Sequence, residues 1–158
     1  MSLDSVRRFF AEHAPDIAVI ELPVSTATVA LAAEAHGVEP GRIAKTLSLK
    51  VGERTVLVVT RGDVRLDNAK MKTVFGGRAR MLGPEEVSEL TGHPVGGVCP
   101  FGLATALPIY CDVSLKAFDT VLPAAGGIHT AVRIGPERMA ALTGAEWVDV
   151  CQVPSALG

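Results

Sequence analysis

Two apolar, β-branched runs lie next to each other in the sequence, at residues 43–51 and 55–60. Runs of this length that are rich in Val, Ile, Leu and Thr are typical of buried strands. The link between them, Gly52-Glu53-Arg54, is short and contains the glycine that tight hairpin turns favour. The sequence therefore predicts a β-hairpin here, and the rest of the fold has to be built around it.

Five other segments are predicted to be short helices, because most have a capping residue or Pro near the start and Gly at the end. They are residues 4–13, opening at Ser2 or Asp4; a segment capped by Ser25 or Thr26 that stops at Gly37; residues 67–75; and the similar segments 83–92 and 135–144. Further strands are predicted at residues 17–22, 106–112, 128–134 and 147–150. Short helices mixed with strands that look antiparallel give an α+β fold. Because the chain has no Pro-rich or Ser-rich linker, we expect residues 1–158 to form a single domain.

The composition is that of a soluble globular protein, with 48% hydrophobic and 20% charged residues. Its longest apolar runs are too short to cross a membrane. The three cysteines, at positions 99, 111 and 151, form no CxxC pair, and the four histidines form no HxH or HExxH motif. We therefore expect a reduced, cytoplasmic protein with no disulfide, no metal ion, no other cofactor and no membrane partner.

Positive charge is concentrated in one part of the chain. Ten Lys and Arg residues lie between Arg42 and Arg80, against three acidic residues, although the whole chain has a net charge of −2. Such a segment predicts a phosphate-binding face if its side chains meet in space. The alternative is that strands and turns distribute these charges over several faces, where they are merely solvated.

Lys45 interrupts an apolar strand. Strict alternation places its side chain on the same face as those of Ile43 and Leu47. A lysine at such a position either lines a cavity or extends its ammonium group to solvent from the strand edge. The strand pattern alone favours the second alternative.

The segment at residues 92–102, called the glycine loop below, contains four glycines and two prolines and cannot be regular structure. Glycines let a backbone approach a ligand closely and present its N–H groups as donors. A fixed set of such donors is what an ester-hydrolysing site needs to stabilise a tetrahedral oxyanion. The alternative is a structural turn, which Gly and Pro serve equally well.

Four segments occur in a recognisable order: Ile-Ala-Lys-Thr-Leu at 43–47, Arg-Leu-Asp-Asn-Ala-Lys at 65–70, Pro-Glu-Glu-Val-Ser-Glu-Leu-Thr-Gly at 84–92 and Gly-Gly-Val-Cys-Pro-Phe-Gly at 96–102. In this order they resemble the YbaK/prolyl-tRNA editing family, also called the aminoacyl-tRNA synthetase-associated editing domain. The resemblance runs from about Val24 to Val150. It implies an α+β fold with a mixed, curved sheet, short surrounding helices, and a pocket at the open side of the sheet.

The resemblance also implies which residues form the site. The lysine that matches Lys45 faces the pocket and is needed for deacylation, and the backbone of the loop frames the aminoacyl group. The catalytic residues implied are Lys45, Gly96, Gly97 and Pro100. The substrate-binding residues implied are Thr46, Val98, Cys99, Gly102, His129 and Lys70.

Three of these residues have other interpretations. His129 is equally well explained as a strand-end residue with no ligand. Lys70, which could touch acceptor-stem phosphates, could also belong to a solvated helix face. Cys99 suggests a nucleophile with His93 or His129 as its base. We reject that role, because no Cys-His signature of a known hydrolase is present and a buried thiol is more often a packing group.

The function implied by the resemblance is the hydrolysis of amino acids wrongly attached to tRNA. The commonest targets are Ala or Cys on tRNA(Pro), and some branches handle Ser or Thr esters. The substrate itself would assist the attack of water, and the pocket would select by size. The partners implied are the tRNA acceptor end and an aminoacyl-tRNA synthetase. The alternative is a non-catalytic module that binds a tRNA end or a synthetase; a general esterase would need a GxSxG motif, which is missing.

Overall fold

The two predicted strands pair with each other and form the middle of the sheet. In the computed structural model, which describes residues 2–152, β2 (Ile43–Val51) and β3 (Arg54–Arg61) are antiparallel, with Ala44 opposite Arg61. Most of β3 is buried. A strand that is covered on both faces needs apolar residues at successive positions, which is why this run does not alternate with polar residues.

Six further strands are short. They are β1 (Ile20–Glu21), β4 (Ala79–Met81), β5 (Ile109–Asp112), β6 (Leu122–Pro123), β7 (Thr130–Ala131) and β8 (Glu146–Val148). β5 pairs parallel with β3, and β8 pairs parallel with β5. On the other side, β6 pairs parallel with the start of β2 and β4 pairs antiparallel with its end. The six-stranded sheet is therefore mixed, while β1 and β7 form a separate two-stranded ladder.

The α-helices of the described residues are short, as predicted. They are α1 (Ser2–His13), α2 (Val29–His36), α3 (Asn68–Phe75), α4 (Pro84–Thr91) and α5 (Pro136–Thr143). The side chain of Asp67 caps α3 by accepting a hydrogen bond from the N–H of Lys70. Both α4 and α5 begin at Pro and are followed by a glycine in the left-handed conformation. These residues confirm the predicted starts and ends of the two helices.

The predicted cap of α2 is wrong. Thr28, not Ser25 or Thr26, accepts a hydrogen bond from the N–H of Leu31. The hydroxyl and the N–H of Thr26 instead donate to the carbonyl oxygen of Ile128, at 3.1 and 2.6 Å. This segment is therefore attached to a neighbouring loop, and the helix begins only after it.

The predicted strands outside the hairpin are longer than the observed ones. Residues 17–22 and 128–134 contain only the two-residue strands β1 and β7, and residues 106–112 contain β5 in their second half. β8 begins one residue before the predicted segment 147–150 and ends before it does. β4 and β6 were not predicted. A strand is defined by its hydrogen-bonded partner, and these segments pair over only a few residues.

Different hydrophobic clusters cover the two faces of the β2–β3 hairpin. Ala44 and Val59 belong to a cluster that includes buried residues of α1 and α5. Val56 and Val58 belong to a second cluster, which packs against α3. A third, smaller cluster joins α2 to Ile43 at the start of β2. This arrangement is the predicted α+β fold. No helix among residues 2–152 is long and apolar enough to span a membrane.

Candidate active site

A cavity of about 300 Å³ lies beside the first half of β2. Its walls come from one face of α2, from β2 between Ile43 and Ser48, from the glycine loop, and from the segments that begin at Met81 and Leu122. Most of the lining side chains are apolar. The polar side chains among them are those of Thr26, Thr28, His36, Lys45, Thr46, Ser48 and Thr130. Gly96 and Val98, two of the predicted site residues, also line the cavity.

The cavity lies where β2 has an open edge. β6 pairs with β2 only at Ile43 and Ala44, and β4 pairs only at residues 49–51. The carbonyl of Ser48 accepts a hydrogen bond from the N–H of Leu82 on this outer side, at 3.0 Å. Backbone groups of successive strand residues point alternately to the two sides, so those of Thr46 also point outward, into the gap between β6 and β4.

Lys45 lies on the cavity wall with a half-buried side chain. Its ammonium group donates to the carbonyl oxygens of Val64 and Gly62, at 2.6 and 3.3 Å. Burial lowers the pKa of Lys45 from its ordinary value of 10.5, and the thiol of Cys151 and the carboxylate of Asp63 partly oppose this. Of the two alternatives for this lysine, the structure has the one in which it lines a cavity.

Within the glycine loop, residues 96–102 form two halves, and the first half, residues 96–98, packs tightly against two other segments. Gly96 has a φ of +91°, and a Cβ atom there would lie 2.9 Å from the Cβ of Ala27. A Cβ atom on Gly97 would lie 2.7 Å from the backbone nitrogen of Gly127. Both distances are shorter than van der Waals contact. The close approach of these backbones therefore requires glycine at both positions.

The backbone N–H groups of the loop differ in what they bind. The N–H of Gly97 donates to the carbonyl oxygen of Pro94 at 2.9 Å, and Pro100 has no N–H. The N–H groups of Gly96 and Val98 make no backbone hydrogen bond within residues 2–152. Gly96 and Val98 line the cavity, as does Val95, whose N–H group also makes no backbone hydrogen bond within these residues, so these three N–H groups are the donors that this loop can offer to a ligand.

The second half of the loop, residues 99–102, lies behind the cavity wall. Cys99 is completely buried, and its sulfur lies 3.6 Å from Nε2 of His93. The same Nε2 atom is 2.7 Å from the carbonyl oxygen of Phe101. Burial raises the pKa of the Cys99 thiol to about 12, so the thiolate that a nucleophile needs does not form near neutral pH. Pro100 and Gly102 are in this half too, and neither lines the cavity.

Two other predicted residues also lie outside the cavity lining. His129 is exposed, and its Nδ1 atom lies 2.9 Å from the carbonyl oxygen of Val24. Lys70 donates to the carboxylate of Asp149 and to the carbonyl oxygen of Cys151, each at 2.9 Å. The hydrogen bond with Asp149 raises the pKa of Lys70. The structure thus brings four predicted residues to the cavity (Lys45, Thr46, Gly96 and Val98) and places the others behind or beside it.

Among the residues that line the cavity, three buried side-chain atoms have no hydrogen-bond partner in the described part of the chain. They are Nε2 of His36, Oγ1 of Thr46 and Oγ of Ser48. Burial and the nearby Arg133 lower the pKa of His36. Sequence analysis did not identify His36 or Ser48. The available signal was periodicity: His36 follows Val29 by seven residues on α2, and Ser48 follows Thr46 by two on β2.

A comparison with known protein families shows which family has this fold and cavity. A family model described as the aminoacyl-tRNA editing domain matches residues 24–142, and every residue that lines the cavity lies within that match. The chain belongs to this family. The predicted family resemblance and the predicted class of enzyme, an aminoacyl-tRNA deacylase, are thereby confirmed.

The chain is also similar to individual proteins over most of its length. It is 47% identical to the uncharacterized protein YwhH of Bacillus subtilis over 96% of the chain and 98% of the relative. It is 30% identical to EbsC of Enterococcus faecalis, a proposed Cys-tRNA(Pro)/Cys-tRNA(Cys) deacylase, over 75% of the chain and 73% of the relative. The crystal structure of a proposed trans-editing enzyme for prolyl-tRNA synthetase superposes with a TM-score of 0.88 at 37% identity, covering 96% of this chain and 98% of that one. The predicted α+β fold is confirmed.

Proposed function

We propose that the protein is a trans-editing deacylase that removes small amino acids wrongly attached to tRNA(Pro). The observation that carries this proposal is the cavity, a mainly apolar space with Lys45 and the unpaired N–H groups of Gly96 and Val98 on its walls. The relatives that are described as a Cys-tRNA(Pro) deacylase and as a prolyl-tRNA trans-editing enzyme support the choice of tRNA.

The size of the cavity suits a small aminoacyl group. A volume of about 300 Å³ accommodates the side chain of alanine, cysteine, serine or threonine together with the ester. Val29, Ala32 and Leu122 line the cavity, and they would limit the length of a side chain that enters. A pocket of this kind works as the second sieve of editing, since it admits the small wrong amino acid and excludes larger ones.

Lys45 would hold the ester region or the terminal phosphate. An ammonium group has three hydrogens to donate, and the carbonyl oxygens of Val64 and Gly62 take two of them. These two bonds fix the side chain, and the third hydrogen remains for the substrate. A positive charge in a half-buried position also stabilises negative charge more strongly than the same charge in open water.

The N–H groups of Gly96 and Val98 would stabilise the oxyanion of the tetrahedral intermediate. Gly97 and Pro100 would contribute the shape of the loop, because the first uses its N–H within the loop and the second has none. Cys99 and Gly102 would support that shape from behind. The attacking water would be activated by the substrate, through a ribose hydroxyl or the α-amino group.

The tRNA acceptor stem would bind beside the cavity at Lys50 and Arg80. These residues lie directly opposite each other on β2 and β4, although like charges in such a pair repel. A phosphate group between them would remove that repulsion. Arg80 also lies 3.9 Å from the carboxylate of Glu86, a long and exposed ion pair that a phosphate could replace. Other basic residues are paired with acids as well, as Arg42 is with Glu39, so the basic segment does not form one uniform face.

Two further predicted substrate contacts, His129 and Lys70, would lie at the edge of the cavity. His129 would contact the substrate where its ring meets the carbonyl of Val24. Lys70 would have to exchange its hydrogen bond with Asp149 for a tRNA phosphate. We further propose that residues 1–158 act as one domain, in the cytoplasm where aminoacyl-tRNA is used, beside a prolyl-tRNA synthetase.

The test is deacylation of a panel of mischarged tRNA(Pro) molecules that carry Ala, Cys, Ser or Thr. Lys45→Ala should reduce the rate on every ester that the wild type cleaves, by about a hundredfold or more, because it removes the positioned charge. Lys116→Ala is a matched control, since that exposed lysine stacks over Trp147 and does not line the cavity. It should leave the rates unchanged.

Each outcome decides between the enzyme and the alternative. Release of one or more esters that depends on Lys45 supports the deacylase. If the wild type cleaves no ester of the panel faster than buffer does, yet binds tRNA, the protein is the non-catalytic module instead. Equal losses in the Lys45 and Lys116 variants would show that Lys45 has no specific role.

A further inference from the structure

An ion pair with a buried guanidinium lies at the end of β3. Nε of Arg61 donates to Oδ1 of Asp63 at 2.6 Å, and Nη2 of Arg61 donates to Oδ2 at 2.9 Å. The side chain of Arg61 is only 6% exposed, while that of Asp63 is 34% exposed. Burying a charged group has a desolvation cost that its partner does not always offset, so stability alone is a weak explanation for such a pair.

The pair closes the turn that holds the ammonium group of Lys45. Arg61 is the last residue of β3, and Asp63 follows two residues later. Lys45 donates to the carbonyl oxygens of Gly62 and Val64, at 3.3 and 2.6 Å, which are the residues on either side of Asp63. Both carbonyl groups that hold the lysine therefore belong to the turn that the ion pair fixes.

The surroundings leave this turn little room to adjust. A Cβ atom on Gly62 would lie 2.3 Å from the carbonyl oxygen of Pro40, and one on Gly41 would lie 2.7 Å from Nη2 of Arg61. The guanidinium of Arg61 also stacks on the ring of Phe118, with 4.8 Å between its central carbon and the ring centroid. The turn and the guanidinium are thus packed against backbone and ring, and any displacement of the turn would move the ammonium group that it holds.

The ion pair also determines which charges Lys45 meets. Arg61 binds both carboxylate oxygens of Asp63, and Lys45 forms no ion pair with any of residues 2–152. A lysine without an ion pair keeps its charge and its third hydrogen for a substrate. Without Arg61, the carboxylate between the two carbonyl groups would be free to turn toward the ammonium group and pair with it.

We propose that Arg61 and Asp63 are positioning residues for Lys45: their ion pair fixes the turn that holds the ammonium group and keeps the carboxylate from pairing with it. This inference rests on the proposed deacylase function. Neither residue of the pair lines the cavity, so both would act through the lysine. Catalysis depends on the placement of such groups, and a misplacement of about 1 Å can lower a rate by about a hundredfold.

The experiment uses two substitutions that disturb the pair in opposite ways. Asp63→Asn removes the negative charge and keeps the shape of the side chain. Arg61→Met removes the positive charge and keeps an unbranched chain beside Phe118. On an ester that the wild type cleaves, each variant should lower kcat by about tenfold and change KM much less, because a displaced lysine loses contacts that form in the transition state.

The pKa of Lys45 is the second readout, and the two substitutions should shift it in opposite directions. Burial lowers this pKa most, the thiol of Cys151 and the carboxylate of Asp63 raise it, and the guanidinium of Arg65 lowers it. Asp63→Asn should lower the pKa further, since it removes a negative charge. Arg61→Met should raise it, since it releases the carboxylate toward the lysine. NMR titration of lysine labelled with 15N at Nζ measures both shifts, and the signal is assigned by its loss in Lys45→Arg.

Asp16→Asn is the matched control. Asp16 accepts two hydrogen bonds from the guanidinium of Arg138, each at 2.6 Å, and neither residue lines the cavity. Loss of this pair should leave kcat and the pKa of Lys45 at their wild-type values. If Asp16→Asn changes them as much as Asp63→Asn does, the loss of any ion pair has the same effect, and the proposal is overturned.

Other outcomes separate this proposal from the deacylase function. A folded Asp63→Asn variant with the wild-type kcat overturns the positioning role and leaves the deacylase function intact. If the wild type cleaves no ester, the deacylase function has failed and the NMR titration decides alone. Opposite shifts of the Lys45 pKa then support the positioning role, and any other result overturns it.

Urea denaturation shows first whether the variants are folded. If Asp63→Asn is not, Asp63→Glu takes its place, because it keeps the charge of the pair and lengthens it by one methylene group. The longer side chain should displace the turn, so kcat should fall by about tenfold while the pKa of Lys45 stays near its wild-type value. An unchanged kcat in Asp63→Glu would overturn the proposal.

Discussion

The two halves of the glycine loop treat buried polar groups in opposite ways. The ring of His93 lies beside the second half and contacts the sulfur of Cys99, the carbonyl of Phe101 and the hydroxyl of Ser2, so its polar atoms have partners. In the first half, Gly96 and Val98 line a cavity, and the N–H group of each has no backbone partner among residues 2–152. Residues 96–98 and 99–102 are adjacent in sequence, yet only the first of these two segments contributes to the wall of the cavity that would hold the ester.

The difference separates residues that can contact a ligand from residues that hold the loop in position. Paired and buried groups fix the position of the backbone, while unpaired groups on an accessible wall remain for a ligand. Cys99 has the more reactive functional group, but its raised pKa and complete burial make it inert. Gly96 has no side chain at all, and what it can offer a ligand is a backbone N–H that forms no backbone hydrogen bond with any described residue.

The strongest test of this comparison is Gly97→Ala, at the point where the first half touches residues 126–127. The new Cβ atom would lie 2.7 Å from the nitrogen of Gly127, so one backbone has to move. We expect a loss of stability of about 1–3 kcal/mol, as for other overpacked sites. The rate should fall by about a hundredfold, because the neighbouring donors shift with the loop. Urea denaturation and deacylation kinetics measure the two effects.

Gly77→Ala is the control for that substitution. A Cβ atom there would lie 3.5 Å from the nearest atom, on Val51, which is an ordinary contact. Both the stability and the rate should remain close to the wild-type values. If Gly97→Ala proves as active as Gly77→Ala, the shape of the first half does not position the donors, and the comparison fails.

The buried ring of His93, beside the second half, should make the stability of the protein depend on pH. Burial lowers the pKa of His93, and it also lowers that of His36 on the cavity wall. The unfolded chain then binds more protons than the folded one near and below pH 6.5, so stability falls as the pH drops through that range. One such histidine contributes a slope of at most about 1.4 kcal/mol per pH unit.

His93→Gln sharpens this prediction, because glutamine does not titrate. Urea denaturation over a series of pH values should give a shallower slope for the variant than for the wild type. Equal slopes for both proteins would mean that His93 is not held neutral beside the second half of the loop.

The smallest effect is expected for Cys99→Ala. Removing a buried sulfur from behind the wall should cost about 1 kcal/mol or less in stability and leave the deacylation rate unchanged. The native protein should also resist alkylation at all three cysteines, since burial raises the pKa of each thiol to about 12. Mass spectrometry after iodoacetamide treatment, with and without urea, measures this. A rate that falls tenfold in the variant would return Cys99 to the list of catalytic candidates.

Local sequence patterns were enough for the hairpin and most of the helix ends. The continuous apolar runs at residues 43–51 and 55–60 leave few alternatives to two buried strands. Proline at the first position and glycine after the last fix α4 and α5, because those residues act on the backbone of their own turn. The short strands β4 and β6 and the cap at Thr28 depend on distant partners, and sequence analysis missed them.

The sequence by itself determined that the protein has an editing-domain fold, and it predicted a site centred on Lys45 and a glycine loop. Only the tertiary structure decided which of those residues adjoin the cavity, and that Lys70 is paired with Asp149 instead. It also brought Ser48 and His36 to the same wall from separate elements. The reason is physical: propensities and caps act over a few neighbouring residues, whereas burial and hydrogen-bond pairing depend on segments that are far apart in the chain.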